Sequence, residues 1–109
     1  MEAYNFATLF HSLQRFEEAK TLLRKTIPVA RRVLGDSHDL MLRLRWIYAR
    51  SLYLNTDATL EDLREAVTTL EDTERTARRV LGGAHPLTKG MEAELPRARA
   101  ALRAREPKK

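Results

Sequence analysis

Residues 31–35 read Arg31-Arg32-Val33-Leu34-Gly35, and residues 78–82 read Arg78-Arg79-Val80-Leu81-Gly82, the same five in the same order. The match extends on both sides at the same offset of 47: Glu18-Ala19 returns as Glu65-Ala66, and His38 with Leu40 returns as His85 with Leu87. Repetition at this spacing is the mark of a chain built from stacked units. Further upstream the offset changes. Phe6-Ala7 aligns with Tyr48-Ala49, 42 residues later, so five extra residues fall in the second unit, around Asn55–Thr59. An insertion placed in a turn lengthens a loop at little cost in free energy. The expectation is therefore a longer turn there, with both flanking helices intact.

Each unit reads as two helices. Ala3, Phe6, Ala7, Phe10 and Leu13 form an apolar stripe that stops at Gln14-Arg15, and Ala19, Leu22, Leu23, Ile27, Ala30, Val33 and Leu34 form the next. Spacings of three and four place each set on one helix face. Gly35 supplies a stop, and Arg31 and Arg32 sit where cations favour the negative end of the helix dipole. Pro28 should bend this second helix. The third, over about 39–54, is apolar nearly all round, with Leu40, Leu44, Ile47, Tyr48 and Leu52 on one side and Leu42, Trp46 and Tyr53 on others. Such a helix expects neighbours on several faces. The fourth runs from about Leu60 to Leu81 with Thr59 as N-cap and Gly82-Gly83 as stop. The fifth starts near Pro86 and carries Leu87, Met91, Leu95, Ala98 and Leu102 on one stripe, suiting a cap; Pro96 should kink or break it.

The spacing thus predicts an all-α fold of antiparallel helix hairpins, an α-solenoid of about two repeats and a C-terminal capping helix. Repeat one covers about 1–37, repeat two about 38–84 and the capping helix about 86–104, with a basic tail at 105–109.

Charge divides the chain as clearly as hydrophobicity. Residues 1–96 hold fourteen basic and fourteen acidic side chains, and the net +5 lies in 97–109, where six basic residues face Glu106 alone. Within the neutral part, 15–50 carries +5 and 51–74 carries −6. This is a dipolar body with a basic end, unlike a uniformly basic nucleic-acid binder. The end lacks aromatic residues for base stacking, which argues against nucleic acid, though Arg97, Arg99, Arg103, Arg105, Lys108 and Lys109 leave nucleic-acid or anionic-surface binding as the alternative.

There is no cysteine, hence no disulfide, thiolate metal site or cysteine nucleophile. No stretch approaches the roughly 18 apolar residues of a membrane span, and MEAYNFATLF lacks the features of a secretory signal. A cytoplasmic location is expected. Paired carboxylates such as Glu17-Glu18 and Glu61-Asp62 fall at helix starts, where acids favour the dipole. Ser12, Ser37 and Ser51 have no convincing His and Asp companions. No catalytic residue, cofactor or metal is expected. His38 and His85 should order the turns that hold them, since no second metal ligand lies at a suitable spacing.

The pieces Asn5-Phe6-Ala7-Thr8-Leu9-Phe10, Gln14-Arg15-Phe16-Glu17-Glu18-Ala19, Val33-Leu34-Gly35-Asp36-Ser37-His38-Asp39 and Val80-Leu81-Gly82-Gly83-Ala84-His85-Pro86 resemble the tetratricopeptide family, in particular the 42-residue repeats of kinesin light chains. The resemblance implies a non-enzymatic module that binds a protein or an extended peptide in a groove lined by the first helix of each unit. It assigns Tyr4, Asn5, Thr8, His11 and Ser12 to that groove from unit one and Arg43, Trp46, Ile47, Arg50 and Tyr53 from unit two, with Glu94 and Arg97 joining from the cap. Asn5 takes the place of the family's ligand-gripping asparagine, and Ile47 stands where unit two would have another. Arg43, Arg50 and Arg97 suit carboxylates, because a guanidinium fork binds them in a bidentate manner. Trp46 is assigned to packing ahead of ligand anchoring. Thr26 and Glu74 depart from the family pattern. Two units are fewer than the three such arrays normally need, which makes self-association through the N-terminal helix face, or a place in a longer array, a further expectation.

Overall fold

The structure is a computed structural model in which residues 15–107 are described. These residues form four helices and, among them, no strand: α1 (Phe16–Leu34), α2 (Asp39–Tyr53), α3 (Leu60–Leu81) and α4 (Pro86–Arg105). They correspond to the second to fifth helices expected from the repeats. The expected first helix, with Ala7, lies outside the described residues, as do Lys108 and Lys109.

Local chemistry sets the ends. The backbone at Gly35 and Gly82 has φ of 83° and 94°, left-handed values that cost glycine nothing and end α1 and α3. Three residues later the two histidines open the following helices. His38 Nδ1 accepts the backbone N–H of Leu40 at 3.0 Å, and His85 Nδ1 accepts that of Leu87 at 3.1 Å. Each ring satisfies one of the amide donors that a helix start leaves unpaired. α3 begins with a full capping box: Thr59 Oγ1 accepts from Asp62 N at 3.0 Å while Asp62 Oδ2 accepts from Thr59 N at 3.2 Å.

Neither proline interrupts its helix: α1 continues through Pro28 and α4 through Pro96, so of the kink or break expected at Pro96 the break does not occur. Both prolines are exposed, on the side where solvent can reach the carbonyl left without an N–H partner, while their neighbours Ile27, Ala30, Leu95 and Ala98 hold the helix to the core.

α2 is the centre of the fold, packed against α1, α3 and α4, as its nearly continuous apolar surface requires. Consecutive helices are joined by short turns and lie as antiparallel neighbours. Ala19, Ala49, Ala66, Ala77 and Ala98 are fully buried at the helix crossings, where a larger side chain would force the axes apart. Leu23, Met41, Leu42, Leu44, Leu52, Leu70 and Met91 fill the space between them. Thr26, one of the departures from the family pattern, turns its hydroxyl back to Leu22 O at 2.8 Å, and Glu74, the other, pairs with Arg78 at 2.8 Å.

The inserted turn is more than a spacer. Ala58 is buried, its N–H bonds Asn55 O at 3.0 Å, and its carbonyl accepts Arg105 Nη1 at 2.7 Å from the far end of α4. Asn55 reaches Glu17 Oε1 at 3.1 Å. The segment expected to be a plain loop extension ties α1, α3 and α4 together, because it holds a core alanine and the cap of α3.

Candidate interaction site

Of the residues assigned by sequence to one face of α2, Arg43, Trp46, Arg50 and Tyr53 follow one another at spacings of three and four and share a side of that helix, with Ile47 at its edge next to Trp46. Gly90, Glu94 and Arg97 do the same on α4. The two helices meet along these sides. Tyr4, Asn5, Thr8, His11 and Ser12 lie outside the described residues.

Four of the assigned residues converge on a single point. Glu94, only 8% exposed, accepts the Trp46 indole N–H at 2.7 Å through Oε1 and the Tyr53 hydroxyl through Oε2. Arg50 Nε lies 3.0 Å from the same Oε2, an ion pair at a distance without hydrogen-bond alignment. A buried carboxylate is costly unless donors and a counter-charge surround it, and α2 supplies both. Burial, and then donation to Glu94, push the Tyr53 hydroxyl well above the usual phenol range.

The approach of the two helices explains Gly90. A Cβ at this position would lie 2.5 Å from Trp46 Cη2, so the indole rests directly on the α4 backbone. A glycine inside a helix costs about 1 kcal/mol relative to alanine. Here it makes room for the ring that reaches Glu94, and Trp46 serves packing as the sequence assigned.

The remaining assigned residues stand apart from this cluster. Arg43 pairs with Asp39 at 2.9 Å, one turn earlier on α2, and both are largely exposed. Ile47 is half-buried against the edge of the core. Arg97 is exposed and forms no ion pair with another described residue, though its charge reaches Tyr53.

A second carboxylate cluster on the other side of α2 was not singled out from sequence. The Tyr48 hydroxyl donates to Glu65 Oε2, Arg24 Nε donates to the Tyr48 oxygen at 2.9 Å, and Arg24 Nη2 lies 3.2 Å from Glu65 Oε1. Lys20 adds a pair to Asp62 at 3.6 Å. These contacts bridge α1 and α3, whose backbones do not approach closely. The signal was in the charge pattern: the basic 15–50 segment and the acidic 51–74 segment are complementary, and the fold sets one against the other. Burial, followed by donation to Glu65, raises the Tyr48 hydroxyl to about 12.

The basic end is partly engaged by the body. Arg99 pairs with Glu71 at 2.9 Å, and Arg105 is held by Ala58 O. On the N-terminal side, Val29 and Val33 are 51% and 77% exposed beside an apolar recess lined by Ala30, Leu34 and Leu40. No helix of the described residues is long and apolar enough to cross a membrane.

Compared with known proteins, residues 3–39 match the family model of the tetratricopeptide repeat. No curated protein and no solved structure gives a significant match. The matched segment ends just after the His38 cap, and the helices that follow continue its pattern of packed neighbours and glycine–histidine turns. The described residues are thus all-α, and over residues 3–39 the chain matches a tetratricopeptide repeat, a resemblance that the packed adjacent helices fit.

Proposed function

We propose that the chain is a non-enzymatic protein-interaction module that takes an extended peptide along the face shared by α2 and α4. Tetratricopeptide repeats generally mediate protein–protein interactions, and the match over residues 3–39 is the observation that carries this function. The chemistry of the face supports a peptide with acidic side chains. Arg97 is exposed without an ion-pair partner among the described residues, Ile47 offers apolar ground, and the Arg43–Asp39 pair is solvent-accessible and of the kind worth about 1 kcal/mol or less. Exchanging such a pair for a ligand carboxylate costs little. The segment Val80–Pro86 resembles the closing signature of kinesin light chain repeats, and that resemblance supports a ligand that is an extended peptide with acidic residues. A cytoplasmic setting and the absence of a cofactor belong to the same proposal.

The test is selection from a peptide library, followed by titration of the selected sequences. Extended peptides with acidic residues should be enriched, and Arg97→Glu and Arg43→Glu should each weaken them by about tenfold, about 1.4 kcal/mol. Arg75→Glu, on the exposed side of α3, should leave them unchanged. Selected peptides that bind the doubly reversed protein as well as the wild type would move the site elsewhere. A library that yields no binder at all would end the proposal.

A further inference from the structure

Trp46, Arg50 and Tyr53 each bring a group to one point from one side of α2: an indole N–H and a phenol O–H that donate, and a guanidinium that supplies positive charge. Two converging donors with a cation beside them recognise a carboxylate whatever chain it hangs on. Here the carboxylate belongs to Glu94 of α4. Arg50 is not used up by it. The pair engages Nε, which is buried and poorly aligned, while the arginine side chain as a whole stays 38% exposed. The guanidinium therefore still borders solvent on the face given above to a peptide.

We propose that Trp46, Arg50 and Tyr53 form a carboxylate-recognition site that Glu94 fills from within the chain, and that Glu94 thereby sets the charge preference of the face. An acidic group on a ligand meets an arginine already neutralised by a buried internal carboxylate. At that position it must compete with Glu94, and it is directed to Arg97 and Arg43 instead. The site itself follows from the geometry, whereas its effect on ligands rests on the peptide-binding function proposed above.

The chain has one tryptophan, and it is Trp46, so intrinsic fluorescence reports on this site directly. Glu94→Ala removes the atoms of one acetate ion. Acetate titrated into Glu94→Ala should restore the wild-type emission and raise Tm along a saturable curve, while chloride at matched ionic strength should do neither. Should Glu94→Ala fail to fold, acetate present during refolding should recover its helical circular dichroism where chloride does not. The absence of any acetate-specific response in that variant overturns the site. The second arm uses Glu94→Gln, which keeps the shape of the side chain, with a blocked aspartate-rich hexapeptide and its asparagine counterpart. The preference for the acidic peptide should rise about tenfold over wild type in Glu94→Gln and fall back in Glu94→Gln/Arg50→Met. An unchanged preference overturns the role of Glu94 in charge selection. If neither peptide binds any of these proteins, that role falls together with the peptide-binding function, while the acetate titration still decides the site.

Discussion

α2 sends a tyrosine to a carboxylate on each of two sides, and the two sites differ mainly in how much water they keep. Tyr53 meets Glu94, whose side chain is 9% exposed, and Tyr48 meets Glu65, whose side chain is 42% exposed. Each has an arginine beside it. The chemistry is nearly the same, yet the energetic weight is not. At Glu65 solvent screens the charges and can replace either partner, so the contact is worth little more than a surface pair. At Glu94 the carboxylate itself is shut off from water, so removing a donor leaves it without a replacement. Burial decides which of the two clusters acts as a structural joint.

The largest effect should come from truncating the carboxylates. Glu94→Ala is expected to cost about 3 kcal/mol in urea unfolding, and Glu65→Ala about 1 kcal/mol. Equal losses would mean that burial is not what separates the sites. Next comes Gly90→Ala. The helix gains about 1 kcal/mol of intrinsic propensity, but the new Cβ meets the Trp46 ring, and a net loss of about 1–2 kcal/mol with a shifted tryptophan emission is expected. A stabilised Gly90→Ala with unchanged emission would show that Trp46 does not rest on α4.

Smaller effects belong to the hydroxyls. Tyr53→Phe leaves Glu94 one donor short and should cost about 1.5 kcal/mol, whereas Tyr48→Phe should cost about 0.5 kcal/mol because water can replace the lost donor at Glu65. The pH dependence should follow the same two residues. The folded protein raises the Tyr48 hydroxyl from its ordinary 10 to about 12 and also raises that of Tyr53. Stability from these groups is fully present below pH 10 and is lost as pH climbs through the folded values, because the unfolded chain gives up those protons first. Thermal unfolding followed from neutral pH to pH 12 should show a decline above pH 10 that Tyr48→Phe makes shallower. The smallest expected change is with salt, which should weaken the Arg24–Glu65 contact and leave the Trp46–Glu94 contact intact.

Much of this architecture was legible in the chain. The repeated RRVLG strings, the flanking glycines and histidines and the three-and-four spacing of apolar residues led to helices observed at nearly the same limits, because caps and amphipathic stripes are properties of neighbouring residues. Thr59 could be named as a cap for the same reason. The inserted turn lies where the repeat offset put it, between two intact helices, but its tertiary contacts were not legible, because the local sequence Asn55–Thr59 says nothing of an arginine 47 residues away that closes on Ala58 O. Trp46, Arg50, Tyr53 and Glu94 were all assigned to one face by resemblance, yet their mutual bonding was not foreseen. Assigned singly, Arg50 looked like a cation waiting for a ligand.

By itself the sequence determined the helical class, the repeat, the turn chemistry and the segregation of charge along the chain, all of which are written in local patterns. Only the tertiary structure decided which charges compensate each other. It set Lys20 and Arg24 against Asp62 and Glu65, brought Gly90 under the Trp46 ring, and buried Glu94 among two donors and a cation from α2. The physical reason is range. A cap or an amphipathic stripe depends on residues within a turn or two, whereas the state of a carboxylate depends on whatever the fold places within a few ångströms of it, and for Glu94 those partners lie more than 40 positions away in the chain.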